Sequence, residues 1–116
     1  MSLLDSQPLE AVGKYLDLTA FRQRLVTSNI ANIDTPGYRS VDIDFASEMR
    51  RAMEGGNDSA PMSHEVYSGT ERGDGNNVNL DRESLLMAEN QLRFRTGVQL
   101  LRSELQKISL AIREGR

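Results

Sequence analysis

Cysteine and tryptophan are absent from this 116-residue chain, histidine occurs once, and aromatic side chains make up only 5% of it. Each gap removes a class of function. Without cysteine there is no disulfide, no thiolate metal site and no cysteine nucleophile, and the redox compartment leaves no trace. His64 has no second imidazole or thiol with which to share a metal or form a nucleophilic pair, so the geometry that such sites require has no candidates. No segment approaches the roughly 18 apolar residues of a membrane span. The first residues, Met1-Ser2-Leu3-Leu4-Asp5-Ser6, lack the basic start and apolar run of a cleaved secretory signal. The expectation is therefore a chain with no enzymatic role, no cofactor, no metal and no membrane insertion. With 38% apolar residues and few rings, its core should also be thin.

Two loop motifs look chemical and fail on spacing. Asp74-Gly75-Asn76-Asn77 has the residue types of a calcium loop but lacks the alternating ligands before its glycine and the distant glutamate that closes it. It reads as a turn. Gly69, Gly73 and Gly75 follow no clear strand and precede no Lys-Ser/Thr pair, so a phosphate cradle is not expected.

Net charge is −3, unevenly distributed: residues 1–34 sum to −1, residues 35–81 to −5 and residues 82–116 to +3. An acidic middle argues against nucleic acid as a partner, and the basic C-terminal residues, spread around a helix, read as a solvated face.

What the chain has in quantity is periodicity. Leu9, Val12, Leu16, Thr19, Gln23, Val26, Ile30 and Ile33 recur at alternating three- and four-residue intervals, the spacing of a coiled-coil seam. This predicts a helix over 7–34, with Pro8 tolerated in the first turn. Met87, Gln91, Phe94, Val98, Leu101, Leu105, Ile108 and Ile112 form a second seam, predicting a helix over 81–114 with Asp81 as N-cap and Glu83 in the first turn. Gly97 should weaken it by about 1 kcal/mol relative to alanine. The polar positions Thr19, Gln23 and Gln91 are the kind that set register. Leu18, Phe21 and Leu25 lie off the first seam, and Leu85, Leu92 and Leu110 off the second, so each helix is apolar on more than one side. Either the helices form a hairpin within one chain, each covering the other's seam, or the seams are met by other chains. The first arrangement leaves a second stripe facing water as an interaction surface.

Residues 35–80 should hold a turn, short strands and a flexible loop. Val41-Asp42-Ile43-Asp44-Phe45 alternates like a half-buried strand, and Glu65-Val66-Tyr67 is a weaker candidate. Much of 50–77 has too little apolar surface to offset the entropy of ordering. The fold class is thus mainly α, with two long terminal heptad helices and a short, irregular, β-containing middle that is partly disordered in the free subunit, all within one domain of residues 1–116.

Between helix and strand lies Ser28-Asn29-Ile30-Ala31-Asn32-Ile33-Asp34-Thr35-Pro36-Gly37-Tyr38. Thr35 before Pro36 is pushed out of the helical region and Pro36 has no N–H, so the helix must end here. Gly37 can take a positive φ, and Tyr38 offers an amphipathic ring. Asn29, Asn32 and Asp34 can bond backbone groups of the last turn or reach another chain. An acid at a helix C-terminus is unfavourable alone, so Asp34 should bond something specific, a turn-capping role being the simplest.

This stretch resembles the N-terminal signature of the bacterial flagellar axial proteins, the rod and hook subunits. Its continuation Arg39-Ser-Val-Asp-Ile-Asp-Phe45, the run Gly75-Asn-Asn-Val-Asn-Leu-Asp81, Met87-Ala-Glu-Asn-Gln-Leu-Arg-Phe94 and the closing Ala111-Ile-Arg-Glu-Gly-Arg116 narrow the resemblance to the proximal rod; residues 46–73 match nothing clearly. The resemblance implies a structural subunit of the proximal rod, part of the shaft that carries torque from motor to hook. It implies export by the flagellar type III apparatus without a cleaved signal, a place in the periplasmic rod of the basal body, and partners among copies of itself and other rod and basal-body proteins. It also implies terminal helices that are poorly ordered in the free subunit and pair as a coiled-coil layer on assembly. Phe45 and Met49 have the spacing of the Phe-x-x-x-hydrophobic export signal of similar subunits. A different rod subunit of the same assembly, or a soluble helical adaptor, are the other readings.

Overall fold

The computed structural model describes residues 7–55, 60–66 and 71–115. Within them the order is α1 (Gln7–Ala31), β1 (Val41–Ile43), α2 (Phe45–Gly55), β2 (Ser63–Glu65) and α3 (Leu80–Glu114). Both long helices expected from the heptads are present. α3 alone, at 35 residues, spans about 50 Å at 1.5 Å per residue, and it sets the 68 × 26 × 18 Å shape. The 18.1 Å radius of gyration exceeds the roughly 13 Å of a compact chain this long.

Boundaries shift where side chains compete with the backbone. α1 stops at Ala31 rather than Asp34, because Ile33 N–H reaches back three residues to the Ile30 carbonyl (3.2 Å) and the Asn32 amide takes the Ser28 carbonyl (2.8 Å), tightening the last turn. α3 is capped by Asn79, whose Oδ1 accepts from the Arg82 N–H, and Asp81 is instead inside the first turn. The expected strand at 41–45 ends at Ile43 because Asp44 caps α2: its carboxylate accepts from the Ser47 N–H (3.2 Å) and hydroxyl (2.9 Å). Those bonds, the Ser47 hydroxyl first, hold Asp44 below its ordinary pKa. The helix at 45–55 replaces an irregular segment in the expectation. β2 lies at Ser63–Glu65, antiparallel to β1 with Asp42 opposite His64. The expected strand at 65–67 overlaps it only at Glu65, and Tyr67 lies outside the described residues, as do 56–59 of the segment expected to be flexible.

α1 and α3 form an antiparallel hairpin in register through Asn29–Glu83, Gln23–Asn90 and Leu16–Gly97. The core is thin, as composition requires: among the described residues the buried apolar ones are Val12, Leu18, Val26, Ile43, Val66 and Leu86. Gly97 is not a weakness. A Cβ there would stand 2.5 Å from Leu16 Cδ2 and 3.2 Å from Tyr15 Cδ1, so its hydrogen lets the helices approach. Gly97→Val should cost about 1–3 kcal/mol through overpacking despite the better helix former, read as a lower urea midpoint; an unchanged midpoint would contradict this contact.

The middle segment packs along one side of the hairpin. Tyr15 meets Phe45 edge to face (5.6 Å between centroids) and the Arg93 guanidinium sits 4.1 Å above the same ring. Lys14 reaches the Ala52 carbonyl, Arg22 holds Asp42, and Asn29 holds Val41. At about 100° per residue, Ala20 and Gln23 point away from that side. There, α1 and α3 border an open groove of about 480 Å³.

Candidate functional site at the corner and the open face

Each asparagine around the corner has a distinct backbone task. Asn29, buried within α1, receives the Val41 N–H on Oδ1 (3.1 Å) and returns a hydrogen bond from Nδ2 to the Val41 carbonyl (2.9 Å). It thereby pairs with β1 as a neighbouring strand would. The same amide accepts from Tyr38 Oη (3.0 Å) and donates to Glu83 Oε1 (3.1 Å). Asn76, fully buried, donates to the carbonyls of Asn32 (2.9 Å) and Thr35 (2.8 Å), which also accept the turn N–H groups of Thr35 and Tyr38, so each carries two hydrogen bonds. Asn77 accepts from Ser40 N–H and donates to the Val66 carbonyl, both 2.6 Å, extending the β1–β2 pairing. The run before α3 is thus the clasp that holds the turn after α1.

The turn itself needs glycine twice. Gly37 has φ +75° and Gly75 φ +86°, and a Cβ on Gly75 would meet the Gly37 Cα at 3.5 Å, so two left-handed turns abut across the corner. Asp74 Oδ1 accepts from the Asn76 N–H (3.1 Å), which makes Asp74–Asn77 a turn, as its spacing predicts. Thr35 bonds Asn32 Oδ1 (3.0 Å). Ala31 and Pro36 are exposed. Asp34 departs from expectation: its side chain is 94% exposed, with Arg72 3.9 Å away, and it caps nothing among the described residues.

Behind the corner lies a buried charge cluster. Asp42 of β1 receives Arg22 of α1 bidentately (2.9 and 2.9 Å), Arg82 of α3 (2.7 Å) and the Ile43 N–H (2.7 Å). Burial pushes this carboxyl up, but the bonds from Arg22, Ile43 and Arg82 outweigh it and hold it below the usual range. Glu83 is the opposite case. It is 0% exposed, Oε1 is shared by Asn29 and Arg82 (3.3 Å), and Oε2 has no partner. Burial dominates and, with the neighbouring Asp42 charge, raises its pKa against Asn29 and Arg82.

Stability therefore depends on pH in two senses. The Asp42 contribution, present above its unfolded pKa, is lost as pH falls through the depressed folded value. The Glu83 contribution, present below its unfolded pKa, is lost as pH rises through the elevated one. Glu83→Gln should flatten the loss of stability that begins as pH rises above the ordinary carboxylate pKa while leaving the acid limb, checked by thermal melts across pH; an unchanged loss there would contradict a Glu83 whose charged form is disfavoured by burial.

The seam residues distribute unevenly. On α1, Val12, Thr19 and Val26 are buried in the hairpin, while Leu9, Leu16, Gln23 and Ile30 are half-buried, as is Ile33 in the turn beyond it. On α3 the innermost residues are Glu83, Leu86, Asn90 and Gly97, and the heptad seam emerges at the edge: Met87, Val98, Leu101 and Ile108 are half-buried, and Gln91, Phe94, Leu105 and Ile112 exposed. The hairpin forms, yet leaves the α3 seam largely uncovered. Phe45 and Met49 sit one turn apart at the start of α2, both half-buried. Glu83, Asn76, Asn77, Arg22 and Arg82 were not among the expected site residues. The dense asparagine run 76–79 was the available signal for two of them.

A helical hairpin with a clasped corner and an uncovered apolar edge defines an interaction protein. A family model described as "Flagella basal body rod protein" matches residues 17–39, the second half of α1 together with the corner. Similar proteins include the flagellar basal body rod protein FlgB of Salmonella typhimurium, 34% identical over 86% of this chain and 88% of the relative. FlgB of Escherichia coli is 30% identical over 86% and 88%, and FlgB of Cereibacter sphaeroides 35% over 84% and 88%. The chain belongs to the FlgB family of flagellar basal body rod proteins. It is a structural subunit of the flagellar rod, and no helix among its described residues is long and apolar enough to cross a membrane.

Proposed function

We propose that this subunit joins the proximal rod through the uncovered side of its hairpin, with the corner setting the angle at which the middle segment leaves the helical layer. One observation carries the reading: the seam residues of α3 left exposed, Gln91 and Phe94 among them, border the same open groove as Thr19 and Gln23 of the α1 seam, opposite the side covered by α2 and β1. Neighbouring rod proteins and further copies of the chain cover that edge in the assembled shaft. Torque then passes through many such contacts in parallel, in the open, heterologous arrangement that builds helical tubes. Of the polar seam positions, Gln23 and Gln91 fix register in those contacts, while Thr19 is buried within the hairpin.

Export through the flagellar type III apparatus belongs to the same reading. Phe45 and Met49 are its candidate signal, legible only when the chain is unfolded, since Phe45 otherwise packs between Tyr15 and Arg93.

The test is sedimentation and circular dichroism of the full chain, alone and with other purified rod proteins. Growth into large co-assemblies is expected. A folded monomer that ignores those partners overturns the rod-assembly reading, and a fixed small complex favours an adaptor.

A further inference from the structure

We infer that the groove between α1 and α3 receives a second copy of this chain, which lays into it the acidic outer stripe at the start of its own α3. The inference rests on the rod reading and names one of its contacts. The groove has an apolar floor in Ala20 and Phe94, the latter 55% exposed, and carries two exposed arginines, Arg24 and Arg95. Neither arginine has an ion pair among the described residues. Deep in the wall stands Asn90, 2% exposed, whose Nδ2 donates to Gln23 while its Oδ1 has no hydrogen-bond partner. That oxygen is shut inside the wall, so what the groove offers a partner is its apolar floor and its two exposed arginines, which suit an occupant that brings an apolar anchor and negative charge.

The chain carries such an occupant on another surface. Leu85 and Leu92, 65% and 62% exposed, lie one heptad apart on the outer side of α3, the spacing of helix-in-groove anchors. Asp81 and Glu89 flank Leu85 one turn away on either side, and both are exposed with no ion pair among the described residues. Charge favours one register: the outer side of the C-terminal half, around Leu110, is bordered by Arg102, Lys107 and Arg113 against the single acid Glu114, and would be repelled by Arg24 and Arg95, whereas the N-terminal stripe carries Asp81 and Glu89 against Arg95 beside Leu92 and is attracted. Groove and stripe are different surfaces of one molecule, so the contact is heterologous and does not close on itself.

The cysteine-free sequence makes the test clean. In the full chain, Ala20→Cys with Leu85→Cys should give, on mild oxidation, a ladder of covalent multimers that collapses on reduction. Intrachain closure is excluded, because the register places Ala20 about eight residues, roughly 12 Å, from the level of Leu85, beyond the roughly 7 Å limit for a disulfide. Arg95→Glu or Glu89→Arg in that background should abolish the ladder, and mixing the two charge variants should restore it. No multimers beyond dimers, or a ladder indifferent to both charge reversals, overturns the inference. If Ala20→Cys couples instead to a different rod protein, the second-copy contact is overturned while the rod reading stands; absence of the chain from purified basal bodies removes the rod reading itself.

Discussion

Asp42→Ala is expected to lower the stability of the free subunit by about 3 kcal/mol, the lower end of the cost of breaking a buried ion pair. Among the described residues Asp42 is the one anion joining three elements: Arg22 comes from α1, Arg82 from α3, and the carboxylate itself from β1. Removing it leaves two guanidiniums facing each other behind the corner. Arg22, with 12% of its side chain exposed, has little access to water, whereas Arg82 at 30% can partly resolvate, which places the cost below the upper limit. The Ile43 N–H also loses its acceptor. Urea denaturation followed by circular dichroism measures the loss directly. A change below about 1 kcal/mol, the worth of an exposed pair, would mean the cluster does not hold the middle segment to the hairpin.

The second large effect is functional rather than thermodynamic. Phe94→Asp should leave the isolated hairpin within about 0.5 kcal/mol of the parent, as surface substitutions usually do, because the ring lies on the groove floor and outside the buried core. It should nonetheless abolish motility, since a carboxylate at a covered apolar contact is an unpaired buried charge costing several kcal/mol in every interface of the shaft. Val26→Asp is no equivalent test. Val26 is 1% exposed inside the hairpin, and a charge there destroys the subunit before assembly is reached.

The two long helices were legible because heptad periodicity over 25 and 35 residues is a strong signal that tertiary contacts modify only at the ends. The corner was legible at Pro36 and Gly37, whose backbone chemistry admits few alternatives. Its clasp was not. That Asn76 would reach Asn32 and Thr35 depends on a fold that joins residues more than 40 apart in sequence, and asparagine carries no marker of its partner. The α3 seam illustrates a different limit: periodicity identifies apolar stripes without saying which neighbour covers them. The inner line on α3 is Glu83, Leu86, Asn90 and Gly97, mostly residues that hydropathy discounts; Glu83 and Asn90 are admitted by hydrogen bonds and Gly97 by lack of a side chain. α2 was missed for a local reason. The alternation of 41–45 reads as strand up to Asp44, and the N-cap formed by Asp44 with Ser47 was spent on extending that strand.

The most direct test of the uncovered face as the assembly surface compares two exposed positions on opposite sides of the hairpin. Cells lacking the native gene would express Phe94→Asp, on the groove, or Met53→Asp, on exposed α2, and purified basal bodies would be probed for the subunit. The account predicts that Met53→Asp is incorporated as the parent is and that Phe94→Asp is absent from basal bodies while its purified form remains folded. Normal incorporation of Phe94→Asp would contradict it.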